Sequence, residues 1–234
     1  MKFSQSRTLH AAFAFLGLIC LPAGQLTAAA LCERDPVEVA ARSIEERGLV
    51  CSAASDAIRL LGRCGIATRR SLHVELMPEV RHPLGTSILG LYDVRQQKVR
   101  ITEEANLLPL ISGTPYGKLP LRDFYRSLIV HEVIHGIMHQ NLKKPPVSHA
   151  VYEYAAYALQ IESLPSHLRE RFLQSFETRA IRLDAIFSDA ILMFDPYFFA
   201  AQAYSHLNAS ADYCANLNAL LDGDAPFIFA MPLR

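Results

Sequence analysis

Apolar positions change their spacing along the chain, from mostly every second residue before Pro120 to a helical spacing after it. Residues 71–77 read Ser-Leu-His-Val-Glu-Leu-Met, so Leu72, Val74 and Leu76 share one face of a half-buried strand. Residues 87–94 predict a second strand and residues 98–102 a third, with Val99 and Ile101 on one face. The link Arg95-Gln96-Gln97 makes these two a hairpin. Upstream, residues 36–41 suit a first strand, followed by a polar turn and an amphipathic helix over residues 52–62, which Gly65 ends. Beyond Pro120 the pattern predicts helices over residues 121–140, over 149–162 with Ser148 as N-cap, over 165–190, and from Pro196 to about Leu207. Lys143-Lys144-Pro145-Pro146 forms the break after the first of them. The expected fold class is α+β: a small mixed or antiparallel sheet with a hairpin packed on helix 121–140, followed by an all-helical C-terminal half.

The N-terminus departs from this pattern. Lys2 and Arg7 precede an apolar run over residues 11–21, then Pro22, Gly24 and Ala28-Ala29-Ala30, the layout of a secretory signal peptide spanning residues 1–30. An uncleaved anchor is the rival reading, but the run is shorter than the ~20 apolar residues a spanning helix needs. The mature chain is then a single domain over residues 31–234, with an α/β part to residue 120 and a helical part after it. A periplasmic or extracellular location follows, without stable membrane insertion. Removing the signal also removes Cys20 and leaves Cys32, Cys51, Cys64 and Cys214, an even number suited to two disulfides. A helix over residues 52–62 holds Cys51 and Cys64 on the order of 20 Å apart. They do not pair with each other, so each bonds either Cys32 or Cys214. Lys plus Arg and Asp plus Glu both total 23, and this balance gives no basic surface to attract nucleic acid.

The chemistry concentrates in His131-Glu132-Val133-Ile134-His135, well inside a predicted helix. Residues four apart stand on one helical face, so both imidazoles reach a single Zn²⁺ at ~2.0 to 2.1 Å. Glu132 is rotated ~100° from His131, where its carboxylate takes a proton from a water that the metal has acidified. Leu128, Ile129, Val130, Val133, Ile134 and Ile137 make the helix a buried one, in which two imidazoles and a carboxylate are costly without a partner. The third ligand expected is Glu153, 18 residues after His135 on the next helix, among Val151, Tyr152, Tyr154, Ala155, Ala156 and Tyr157. His149, one turn earlier, is the competing ligand. His139 lies ~12 Å along the axis from His131, too far to share the metal, and reads as an outer or surface histidine.

Together with the preceding hairpin, His131, Glu132, His135 and Glu153 resemble the gluzincin branch of the zincin metallopeptidases, over roughly residues 71–162. The resemblance implies zinc at His131, His135 and Glu153, Glu132 as general base, and a peptide or protein substrate lying extended along the edge of the sheet. The chain departs from the pattern at Tyr157, where an acidic residue is common four positions after the ligand Glu. No motif for binding a free α-amine is present, and the metzincin pattern lacks its third His. Acyl transfer also needs a donor to the developing oxyanion, for which Tyr157, Tyr204 and His206 are candidates, Tyr204 first.

The function expected is therefore an exported zinc peptidase. The alternative is a catalytically inactive module that binds or assembles, its groove closed by Tyr157 or the loop near Lys118. A closed structural site of His131, His135, His149 and Glu153 is the third reading, and it leaves Glu132 without a task.

Overall fold

The computed structural model describes residues 29–82, 84–145, 148–176 and 187–228. The signal peptide expected over residues 1–30 falls almost wholly outside them, as does the middle of the helix expected over residues 165–190.

Five strands form one mixed sheet: β1 (Ala30–Leu31), β2 (Val37–Ala40), β3 (Leu72–Met77), β6 (Gly90–Asp93) and β7 (Lys98–Thr102), in the order β1-β2-β3-β7-β6. β2, β3 and β7 run parallel, whereas β1 and β6 are antiparallel to their neighbours. A separate two-stranded ladder joins β4 (Val80–Arg81) to β5 (Ser87–Ile88). The strand expected over residues 87–94 is thus divided. Its first two residues leave the main sheet to pair with β4, and only Gly90–Asp93 forms the hairpin with β7. The alternation pattern came out as expected where it was strictest, with Leu72, Val74, Val99 and Ile101 all buried.

The parallel step from β2 to β3 is made by α1 (Ile44–Gly62). This helix begins two turns earlier than the apolar pattern indicates, because Ser43 and Glu46 form a reciprocal capping box: Ser43 Oγ accepts from Glu46 N at 3.1 Å, and Glu46 Oε2 accepts from Ser43 N at 3.1 Å. Its buried face is Val50, Ala53, Ala54, Ala57, Leu60 and Leu61. Gly65, at φ +73°, turns the chain out beyond its end.

The helical part contains α3 (Leu121–Asn141), α4 (His149–Ser163), α5 (Ser166–Gln174), α6 (Asp189–Phe194), α7 (Pro196–Ala209) and α8 (Tyr213–Asp222), after a short α2 (Leu108–Ile111). The apolar pattern did not announce α8, which presents only Leu217, Leu220 and Leu221 to the core and stops at Gly223 in the left-handed conformation. α3 lies at the centre, packed against α1, α4 and strands β6 and β7. Close approach to the sheet depends on Gly136, where a Cβ would stand 2.8 Å from Leu72 Cδ2. No helix among the described residues is long and apolar enough to cross a membrane.

Two disulfides clamp α1, Cys32–Cys51 to β1's flank and Cys64–Cys214 to the start of α8. Cys51 and Cys64 do not pair with each other, and one bridge ties the N-terminal region to the C-terminal helices, as the helix geometry requires. Both bonds fit an exported protein. In the chain-entropy account a crosslink stabilises more the longer the segment it closes. Replacing Cys64 and Cys214 with serine, at a separation of 150 residues, is expected to cost about 5 kcal/mol. The equivalent change at Cys32 and Cys51, 19 residues apart, is expected to cost about 3 kcal/mol, the order being read from urea unfolding.

Candidate metal centre

α3 and α4 run antiparallel, since His131 meets Glu153 while Ser127, a turn earlier on α3, accepts a bond from Gln160 Nε2, two turns later on α4. This register carries His131, His135 and Glu153 to one point. The two Nε2 atoms are 3.0 Å apart; His131 Nε2 lies 3.4 Å from Glu153 Oε2, and His135 Nε2 lies 3.4 Å from Glu153 Oε1. A tetrahedral ion with ligands at ~2.0 to 2.1 Å has ligand-to-ligand edges of ~3.3 to 3.4 Å, which the two His–Glu separations match, while the two imidazole nitrogens stand slightly closer together. Among the described residues this is the group of His, Cys, Asp and Glu side chains close enough to hold an ion.

The charges in the cluster are strongly interdependent. Burial pushes the Glu153 carboxyl upward, but His135 and His131 together hold it well below the usual carboxylate range. Burial lowers His135, and the adjoining Glu153 carboxylate more than reverses this, leaving the imidazole above its ordinary value. Glu132, 5% exposed, is raised by burial and by Glu153, against the pull of both histidines. The two carboxyl groups are thus driven apart, Glu153 downward and Glu132 upward. His131 Nδ1 is buried and has no hydrogen-bond partner among the described residues. The Tyr157 ring packs edge-on against the His131 ring, with centres 4.6 Å apart.

The cluster forms part of the lining of a cavity of about 580 Å³ whose other walls are residues 87–92 of the β5–β6 segment, Leu110, Tyr116, Leu128, Tyr152, Tyr197 and Gln160. Tyr157 lines it too, its hydroxyl pushed well above the ordinary tyrosine value by burial and so retained as a donor. His149 and His139 line the cavity without joining the cluster.

Two expected participants belong elsewhere. Tyr204 and His206 do not line the cavity: Tyr204 lies beneath the Arg169 guanidinium, 5.5 Å from its ring centre, and His206 Nδ1 is 2.6 Å from the Tyr154 hydroxyl, among Phe187 and Phe227. The reason is the placement of α7, which points its first turn at the cavity. Tyr197 is there, and Tyr204 follows seven residues later, ~10 Å along the helix. Tyr197 was legible as part of the aromatic stretch 197–199, but nothing local distinguishes it from Tyr204.

These observations define an α+β protein, crosslinked by two disulfides, with a partly buried His–His–Glu cluster close enough to hold a metal ion in the wall of a cavity. The model of a family described as "Family of unknown function (DUF6639)" matches residues 37–230, and the chain belongs to that family. No curated protein and no solved structure matches the chain.

Burial holds both His206 and His139 below the ordinary histidine value of 6.5, with Arg70 adding to the effect at His139. Each is thus protonated more readily in the unfolded chain than in the folded one. Their stabilising contribution is complete above pH 6.5 and is lost as pH falls through the folded values. Between pH 8 and pH 5 the urea midpoint of wild type is expected to fall relative to that of His206→Gln, which lacks the His206 contribution, whatever the opposing contributions of the raised His135 and Glu132 do to both.

Proposed function

We propose that the protein is an exported zinc-dependent hydrolase that cleaves peptide bonds, with His131, His135 and Glu153 holding the ion and Glu132 acting as general base. The observation that carries this reading is the set of ligand-to-ligand distances, 3.0, 3.4 and 3.4 Å, in the wall of a cavity large enough for a substrate. The resemblance of the same four residues to the gluzincin pattern supports it independently of the distances.

When bound, Zn²⁺ polarises a carbonyl and lowers the pKa of a coordinated water toward ~7. The chain supplies the rest. A Glu132 carboxyl raised by burial accepts the proton of the attacking water on a side-chain oxygen and returns it to the departing amine nitrogen. Glu153, held as an anion, offsets positive charge in the wall and keeps the two imidazoles facing the same point. Tyr157, whose hydroxyl keeps its proton, is the candidate donor to the developing oxyanion, in place of Tyr204 and His206. β6 is the last strand of the sheet, and residues 87–92 line the cavity, which leaves a backbone edge for an extended substrate. Leu110, Leu128 and Tyr116 give apolar wall to seat a side chain and exclude water. The alternative is an inactive module that binds or assembles, its groove plugged by Tyr157 or the loop near Lys118; Tyr157 instead lines an open volume over the cluster, which favours hydrolysis.

Metal analysis of the purified mature protein, paired with cleavage of a peptide library, tests the reading. Wild type is expected to carry about one zinc per chain, and Glu153→Ala to lose affinity steeply. Glu132→Gln is expected to keep the metal while hydrolysis drops by about 10² to 10⁴ fold. Hydrolysis by Glu132→Gln at the wild-type rate would overturn the mechanism.

A further inference from the structure

We infer that Gly90 is a positioning residue for Glu132: the absent side chain on the edge strand creates the space in which the Glu132 carboxylate sits beside the metal cluster. The catalytic consequence rests on the hydrolase reading above, whereas the steric coupling does not.

A Cβ built on Gly90 would stand 2.5 Å from Glu132 Oε1, 2.7 Å from Cδ and 2.8 Å from Cγ, all closer than real carbon contacts allow. Relief must come from the strand, the helix or the carboxylate. β6 cannot retreat, because Gly90 is in register with Ile101 of β7, a fully buried residue. The residues just before it are pinned as well, with Thr102 N donating to the Leu89 carbonyl at 2.9 Å and Thr102 Oγ1 donating to the Ile88 carbonyl at 2.8 Å. α3 cannot retreat either, being buried on its other flanks by α1 and α4. The Glu132 side chain, with several rotatable bonds, is the part able to yield. Turning it out of this space carries the carboxylate away from the position it holds next to His131, His135 and Glu153, without touching a ligand.

Gly90 opens β6 and is paired with Ile101, and a glycine at a paired strand position costs conformational entropy and leaves a face without packing. The other glycine at the α3–sheet contact, Gly136, meets Leu72 and Tyr92, which are packing groups. Gly90 differs from it in meeting a reactive carboxyl group.

The test is a double-mutant cycle between Gly90→Ala and Glu132→Ala in the full mature chain loaded with zinc. Gly90→Ala alone is expected to retain zinc at the wild-type stoichiometry. It is also expected to lower kcat on the peptide library by about 10² fold with KM held within about twofold. In the Glu132→Ala background the same change is expected to have no further effect on the residual rate. The urea midpoint follows the same pattern, lowered by Gly90→Ala in wild type and unaffected by it once the Glu132 side chain is gone. Should Gly90→Ala fail to fold, the double variant is expected to fold. Undiminished hydrolysis by folded, zinc-loaded Gly90→Ala overturns the inference. So does an equal loss of urea midpoint in both backgrounds, or a double variant that also fails to fold. If wild type with zinc cleaves no peptide, the hydrolase reading fails, and the urea arm still decides whether Gly90 and Glu132 are coupled.

Discussion

Crowding of two imidazoles and two carboxyl groups, His131 and Glu132 buried and His135 and Glu153 partly so, at one contact between α3 and α4 is the constraint around which the molecule is arranged. An isolated ionised carboxylate in such a place costs several kcal/mol, and so does an isolated imidazolium. Here the groups carry one another: the histidines hold the Glu153 carboxyl well down, Glu153 raises His135, and Glu132 moves in the opposite direction to Glu153. A divalent ion at the same point would take over the role of the protons. Removing one member therefore leaves its partly or wholly buried neighbours less well compensated, which ties the cluster to the stability of the helix pair.

Bringing four such groups within reach demands close backbone approach, and small residues provide it. On α4 the buried positions include Ala150, Ala155, Ala156 and Ala158, and α7, which packs against that helix, buries Ala200, Ala201 and Ala203. On the sheet side Gly136 lets α3 settle under Leu72 and Tyr92. α1 completes the enclosure of α3, and both disulfides are attached to α1 or its immediate end. The crosslinks thus sit at the periphery, where they hold the helix that closes one flank of α3 without entering the cluster.

Much of this was legible because the relevant signals are local. His131 and His135 four apart in a helix, and Glu153 in an otherwise apolar helix, fix their own relative positions once the two helices pack. The same holds for Ser148 as an N-cap, accepting from Ala150 N at 3.1 Å, and for the alternation in β3 and β7. The start of α1 was equally local, in Ser43 and Glu46, but it lies in a polar stretch that hydrophobic periodicity does not weigh. Leu89 as the break between β5 and β6 was less accessible, since it reflects the presence of β4 as a competing partner. The choice between Tyr197 and Tyr204 was not local at all. Both are tyrosines on one helix, and the direction in which α7 enters the fold separates them.

The antiparallel register also makes the cavity asymmetric. Moving along α3 from His135 toward its C-terminus and along α4 from Glu153 toward its N-terminus leads to the same end, so His139 collects there with His149 and Tyr152. The opposite directions collect Leu128 with Tyr157 and Gln160, to which α7 adds Tyr197 and the segment before α3 adds Tyr116. Gln160 is nearly inaccessible, and its amide is held by the Tyr116 hydroxyl and Ser127, each at 3.4 Å. One end of the cavity is therefore rich in imidazole and the other is aromatic with a buried amide, and the His–His–Glu cluster separates them. Because the same helix register sets both the cluster and the sorting, a shift that altered one end would displace the ligands as well.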